Sequence, residues 1–173
     1  MNELREAVTQ EMVRELLDYD AESGVMTWRR RHNGTPQWNA RYAGTRAGNK
    51  TTGGYIAIQV AKRLYLAHRL AWLWVYGQWP QGEMDHINCV KDDNRITNLR
   101  LATRGQNEWN KHTNSRNSSG FKGVTSRDGR RWSAKIRDNY RIIRLGNFDT
   151  PEEAHEAYAE AAKALRGDFA RTS

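Results

Sequence analysis

The sequence predicts an α+β chain of two small units, a mixed front half and a back half in which a three-stranded antiparallel sheet packs on one helix. Three observations carry this. Phe121–Thr125, Arg131–Arg137 and Arg141–Gly146 are short runs of strand-forming residues, with Asp128-Gly129 and Asp138-Asn139 between them as tight turns. Behind them, Thr150, Pro151, Glu153 and Gly167 supply a helix cap, a first-position proline, a capping-box acid and a stop. Ahead of them, the stretch from Asn110 to Gly120 offers no apolar residue to a core and reads as a linker. The expected organisation is therefore a front domain over 1–112, a linker over 113–119 and a back domain over 120–173.

Taken in order, Thr9 caps an amphipathic helix expected to run to Tyr19, with Met12, Val13, Leu16 and Leu17 on one stripe. Asp20–Gly24 is a turn and Val25–Arg29 has strand character. Residues 30–50 are rich in Gly and Asn with little periodicity, which predicts a loop or irregular arm. Tyr55–Val60 and Leu64–Leu66 form a hairpin turning at Ala61-Lys62-Arg63. The spacing becomes helical at His68, with Leu70, Leu73 and Trp74 together, and Gly77 and Pro80 stop it. Glu83–Asn88 is a strand followed by a loop over 89–98, and Thr103 caps a helix to about Lys111.

Charge points to the partner. The chain carries a formal charge of +8, and from Ser23 to Gly82 there is no Asp or Glu among nine Arg and Lys. Trp28, Trp38, Tyr42 and Tyr55 interleave that stretch, which favours nucleic acid; no long apolar or amphipathic segment suggests a membrane. The single cysteine, Cys89, excludes an internal disulfide and a four-Cys structural zinc site, and fits an intracellular, reducing compartment. The first residues are no secretion signal. No obligate protein partner is evident.

Met84-Asp85-His86-Ile87-Asn88, then Asn94-Arg95-Ile96-Thr97-Asn98-Leu99-Arg100 and Gln106-Asn107, carry the chemistry. A carboxylate and an amide oxygen suit one hard divalent cation such as magnesium, and an imidazole can accept a proton near neutral pH. His68 reads as a packed histidine, and His32, His112 and His155 as ordinary surface residues.

The run from His68 to Asn107, from His-Arg-Leu-Ala-Trp-Leu to Asn-Leu-Arg-Leu-Ala-Thr-Arg-Gly-Gln-Asn, resembles HNH nucleases of the phage and intron homing type, the branch with Asp-His in place of paired histidines. The resemblance implies a ββα metal site. In it His86 is the general base, Asp85 and Asn107 the ligands of one Mg2+ (Mn2+ substituting), and Asn98 the residue that orders the loop. Arg95, Arg100 and Arg104 would neutralise neighbouring phosphates, and the setting would be the cytoplasm of a phage-infected bacterial cell. No other cofactor is implied.

Residues 120–170 resemble the plant ethylene-response, or APETALA-type, DNA-binding domain in the Gly-Val strand, Trp132 with Ala134, Ile136 and Arg137, the Leu-Gly-x-Phe-Asp-Thr segment ending at Thr150, and the Ala-rich helix with Arg166-Gly167. In that family the sheet enters the major groove. Alternation turns Trp132, Ala134 and Ile136 toward the helix and leaves Ser133, Lys135 and Arg137 outward; Ile143 and Leu145 face in, Arg144 out with Ile142. The DNA-binding set is then Lys122, Lys135, Arg137 and Arg144 with the three front arginines. Lys135 stands where the plant domains usually have Glu and Arg144 where they have Trp, so their target preference does not transfer. The expected activity is hydrolysis of duplex DNA to a 5′-phosphate and a 3′-hydroxyl. The rival is a non-catalytic DNA-binding regulator on the same scaffold.

Overall fold

The structure, a computed structural model, describes residues 8–111, 117–126, 128–138 and 141–172. Its contacts divide the chain into two compact units, Met1–Thr103 and Arg104–Ser173. His112, Asn139 and most of the expected linker lie outside the described residues. The linker's last residues are tied into the second unit, where Ser119 Oγ contacts the carbonyl oxygens of Phe121 (3.0 Å) and Val124 (2.9 Å).

The first unit opens with α1 (Gln10–Leu16), capped by Thr9 Oγ1 accepting from Met12 N. The helix stops short of Tyr19. Leu17–Tyr19 is instead a strand, β1, with Leu17 and Tyr19 buried and Asp18 exposed, a period of two that a helix cannot satisfy. It pairs antiparallel with β2 (Met26–Trp28) across a turn in which Asp20 accepts from Glu22 N and Ser23 Oγ. The arm expected to be irregular contains α2 (Pro36–Tyr42), whose start is marked by Thr35 as cap and Pro36 at the first position. A three-stranded antiparallel sheet follows, of β3 (Asn49–Lys50), β4 (Ile56–Val60) and β5 (Arg63–Leu66). Next come α3 (Ala67–Tyr76), ended by the left-handed Gly77, and the hairpin of β6 (Glu83–His86) with β7 (Leu99–Ala102). Leu17, Ile58, Leu70 and Val13 are fully buried in one core, each stabilising by roughly 1.5–3 kcal/mol.

The second unit holds α4 (Arg104–Asn110), then β8 (Val124–Ser126), β9 (Trp132–Asp138), β10 (Arg141–Phe148) and α5 (Pro151–Arg166). The sheet order is β10-β9-β8, all antiparallel. Thr150 and Glu153 form the capping box expected of them. Ala134, Ile136 and Val124 pack on Ala154, Tyr158 and Ala162 of α5, whose small residues let helix and sheet approach closely. Simple alternation fails at Leu145. The register slips there, so that Arg144 faces Lys135 but Gly146 faces Ala134. The bulge lets half-buried Leu145 serve both small cores and puts Phe148 back on the helix side with Trp132. Ile143, opposite the buried Ile136, is still 39 % exposed, so it closes the sheet's edge rather than filling the core.

Candidate active site

Asp85 and His86 are consecutive residues of β6, and both are buried. Pairing with β7 puts Arg100 opposite Asp85, and Asp85 Oδ2 accepts from Arg100 Nε (2.9 Å) and Nη2 (2.8 Å). This fork holds the carboxylate in one orientation. His86 Nε2 lies 3.3 Å from Asn94 Oδ1. An amide oxygen only accepts, so Nε2 carries the proton and the lone pair of this tautomer is on Nδ1. Burial lowers the His86 pKa from its ordinary value, against the opposing pull of Asn94 and of Asp85, Asp93 and Asp92.

The loop between the strands is fixed by side chains. Asn98 accepts from Asn88 N (3.0 Å) and donates to Asn88 Oδ1 (3.0 Å) and Asp93 O (2.8 Å). Asn88 donates to Asp93, whose carboxyl is held down at about 2, chiefly by Arg95. Tyr19 OH donates to Asn94 O at 2.7 Å, and burial pushes the phenol up to about 12, so it stays a donor. Lys50 pairs with Asp92, and Lys91 donates to Gly53 O. Asn94 is the residue that sequence reasoning missed. It opens a segment that the sequence singles out, but nothing in its spacing gives it this role, because its contacts come from Tyr19 and His86, far away in the chain or across the loop.

Gly24 is the hidden support of this loop. Its φ is +72°, and a β-carbon there would lie 2.3 Å from Arg95 N and 2.5 Å from the Asn94 carbonyl carbon. Gly24→Ala should destabilise the first unit by about 2–4 kcal/mol, the sum of a left-handed backbone cost and overpacking against rigid backbone. It should also displace Asn94 and slow any reaction that depends on His86. Urea unfolding and activity at matched folded protein check this, and an unchanged midpoint contradicts it.

His68 is the packed histidine expected, 6 % exposed, and its ring stands edge-on to His86 with centroids 5.0 Å apart. Tyr55 packs against both rings. Burial, with His86 and Arg69 nearby, pushes the His68 pKa from 6.5 down to about 3. The unfolded chain therefore binds a proton that the folded chain refuses between those values. Stability is full above pH 6.5 and falls as pH drops toward about 3, by at most about 1.4 kcal/mol per unit from this group. Urea titrations at pH 7 and 5 should show this slope, and His68→Phe should flatten it. An equal slope in both proteins would rule the group out.

Asp85, His86, Asn98, Arg95 and Arg100 thus share the first unit, whereas Asn107 and Arg104 stand on α4 in the second, half-buried and exposed respectively. Two of the arginines expected on phosphates already face carboxylates, Arg95 on Asp93 and Arg100 on Asp85. Lys122 donates to the carbonyl oxygens of Trp109 (2.6 Å) and Lys111 (2.8 Å), so its ammonium serves the C-terminal end of α4. Lys135, Arg137 and Arg144 are exposed on the outer face of the sheet, with Arg144 opposite Lys135. His32 is exposed; His155 is half-buried, stacked on Phe121 at 4.6 Å, and so is not an ordinary surface residue. Among the described residues, no group of three or more His, Cys, Asp or Glu could hold a metal ion. A buried carboxylate beside an imidazole fits instead a hard cation that takes one or two protein oxygens and completes its shell with water and phosphate. No described helix is long and apolar enough to cross a membrane.

Comparison with known proteins finds two family matches, the first of which runs past Thr103 and takes in Asn107. Residues 65–109 match the HNH endonuclease family, and residues 119–168 match the AP2 domain. An uncharacterized HNH endonuclease of Acanthamoeba polyphaga mimivirus is 38 % identical over 87 residues, 50 % of this chain and 44 % of that protein. An ethylene-responsive transcription factor of Medicago truncatula is 40 % identical over 82 residues, 46 % of this chain and 31 % of its own length. One of Arabidopsis thaliana is 52 % identical over 58 residues, 32 % of this chain and 23 % of its own. The chain spans less than half the length of each of these relatives. No solved structure matches.

Proposed function

From a chain that carries an HNH endonuclease domain followed by an AP2 domain, we propose a metal-dependent DNA endonuclease of the homing type. It hydrolyses a phosphodiester of duplex DNA and leaves a 5′-phosphate and a 3′-hydroxyl. The observation that carries this reading is the buried Asp85-His86 pair, with His86 Nε2 on Asn94 and Asp85 on Arg100. His86 takes a proton from water at Nδ1. Its lowered pKa keeps that nitrogen unprotonated at neutral pH. Asn98 holds the loop so that Asn94 and His86 keep their relative position. Asp85 would hold magnesium or manganese, with Asn107 the second ligand that the resemblance implies, and the ion would supply charge neutralisation at the phosphate and the departing oxygen. The attack then needs no second ion, because the imidazole serves the nucleophile. The virus relative favours a nuclease setting, and the plant relatives favour duplex DNA as the partner of the tail.

In the second unit, Lys135, Arg137 and Arg144 form the face that grips and reads DNA. Arg137→Ala should relax sequence preference and cost roughly 1–3 kcal/mol if its guanidinium reads a guanine edge. A uniform loss across sequences would make it a phosphate contact instead. The reaction itself is tested on the ends it leaves. A nick made by the full chain should be sealed by a DNA ligase with no prior kinase or phosphatase treatment. A nick that needs either enzyme would contradict the proposed attack.

A further inference from the structure

The first unit contains a groove of about 600 Å³ whose lining includes Trp28, Arg31, Trp38, Tyr42, Gln59 and Lys62. We infer that this groove is a stacking site for an unpaired nucleotide of a DNA strand. The inference rests on the reading of the chain as a DNA-processing protein, though not on cleavage.

Aromatic faces define the groove. Trp28 and Trp38 meet edge-to-face at 5.8 Å, and Trp38 and Tyr42 lie tilted at 5.3 Å. The Arg31 guanidinium sits 3.7 Å from the Trp38 ring centre and 5.2 Å from that of Trp28. Ring faces, not a carboxylate, hold that cation: among the described residues Arg31 makes no ion pair. No acid lines the groove, and none occurs anywhere between Ser23 and Gly82. Cations beside partly exposed aromatic rings match a phosphate attached to a flat base.

Two further features separate this cluster from an ordinary small core. Helix α2, which carries Trp38 and Tyr42, has no buried residue, so it is built around the groove and not around a core. At the rim, the β4–β5 turn places Ala61 and Lys62 in the left-handed region, with φ of 49° and 63°. Such two-residue turns normally use Asn-Gly, and each non-glycine residue costs roughly 1–2 kcal/mol there. That cost brings a lysine to the groove wall.

Size decides between duplex and single strand. A groove of about 600 Å³ is in the range of small-molecule sites, room for a single nucleotide and not for a double helix. A duplex also shows its bases edge-on, so only a base out of the stack can lie on these rings.

The test uses the full chain in chelator, so that no strand is cut, with a single-stranded thymidine oligonucleotide carrying 5-iododeoxyuridine. Irradiation should cross-link Trp28, Trp38 or Tyr42. Trp38→Ala should weaken single-strand binding roughly 10-fold or more, and Trp38→Phe should restore most of it. Lys62→Gln, on an exposed turn where folding is undisturbed, should lower the salt slope by about 0.7. If Trp38→Ala does not fold, Lys62→Gln and the cross-link map decide. Cross-links confined to other residues, or single-strand binding unchanged in Lys62→Gln and in folded Trp38→Ala, overturn the groove. A parent protein that nicks duplex but ignores the single strand overturns the groove and spares the nuclease reading. One that cross-links through the groove but never nicks does the reverse.

Discussion

On the proposed function, His86→Ala should leave duplex binding nearly intact and slow strand cleavage roughly 100-fold or more, the usual scale for loss of a general base. The residue is 5 % exposed, with Asn94 on Nε2 and the rings of His68 and Tyr55 alongside. Removing the imidazole leaves a small cavity but no unpaired charge, so the fold survives with a modest loss of stability. The DNA contacts proposed for the outer face of the second unit should be untouched. His86→Gln keeps much of the volume while lacking a base, and so separates packing from proton transfer. Single-turnover cleavage by both variants, normalised to folded protein, is the measurement. Near-parental rates would remove His86 from the chemistry.

Asp85→Asn should bring cleavage to background at every ordinary magnesium concentration if Asp85 is the proposed ligand. The substitution preserves shape but removes the negative charge that a hard cation requires. It also deprives Arg100 of its counter-charge. Both side chains are little exposed, 11 % for Asp85 and 16 % for Arg100, so the uncompensated guanidinium should cost about 1–3 kcal/mol, less than full loss of a buried pair because the amide still accepts one hydrogen bond. Two readouts therefore move together, the urea midpoint downward and the rate to background. Restoration of activity by raising magnesium alone would show that Asp85 tunes affinity but is not required. Retention of the parental rate would exclude it as a ligand.

The sequence reveals the parts of this chain whose information is local. Thr150, Pro151 and Glu153 mark a helix start within four residues, and the structure forms the capping box as written. Asp85, His86 and Arg100 stand out through the motif and its resemblance, and the structure pairs Asp85 with Arg100 across the β6–β7 hairpin. Where contacts are distant, the same reasoning fails. Leu17 continues a helical stripe in the sequence, yet β2 claims it for a sheet. Thr35-Pro36 gives a true helix start that the surrounding Gly and Asn residues outweigh. Asn94 and Gly24 carry no signal of their own, because each matters only where two distant segments meet. Leu145 shows the remaining limit: one inserted residue shifts the register of β10, and no composition rule announces it.

Nicking of supercoiled plasmid by the full chain, in chelator and then with magnesium restored, bears most directly on the proposed chemistry. Asp85 and His86 as metal ligand and base require no relaxed circles in chelator, their appearance on adding magnesium or manganese, and their absence with Asp85→Asn at equal protein. Undiminished nicking in chelator, or none under any divalent ion by a protein that binds the plasmid, would contradict a metal-dependent endonuclease and leave a DNA-binding protein on a nuclease scaffold.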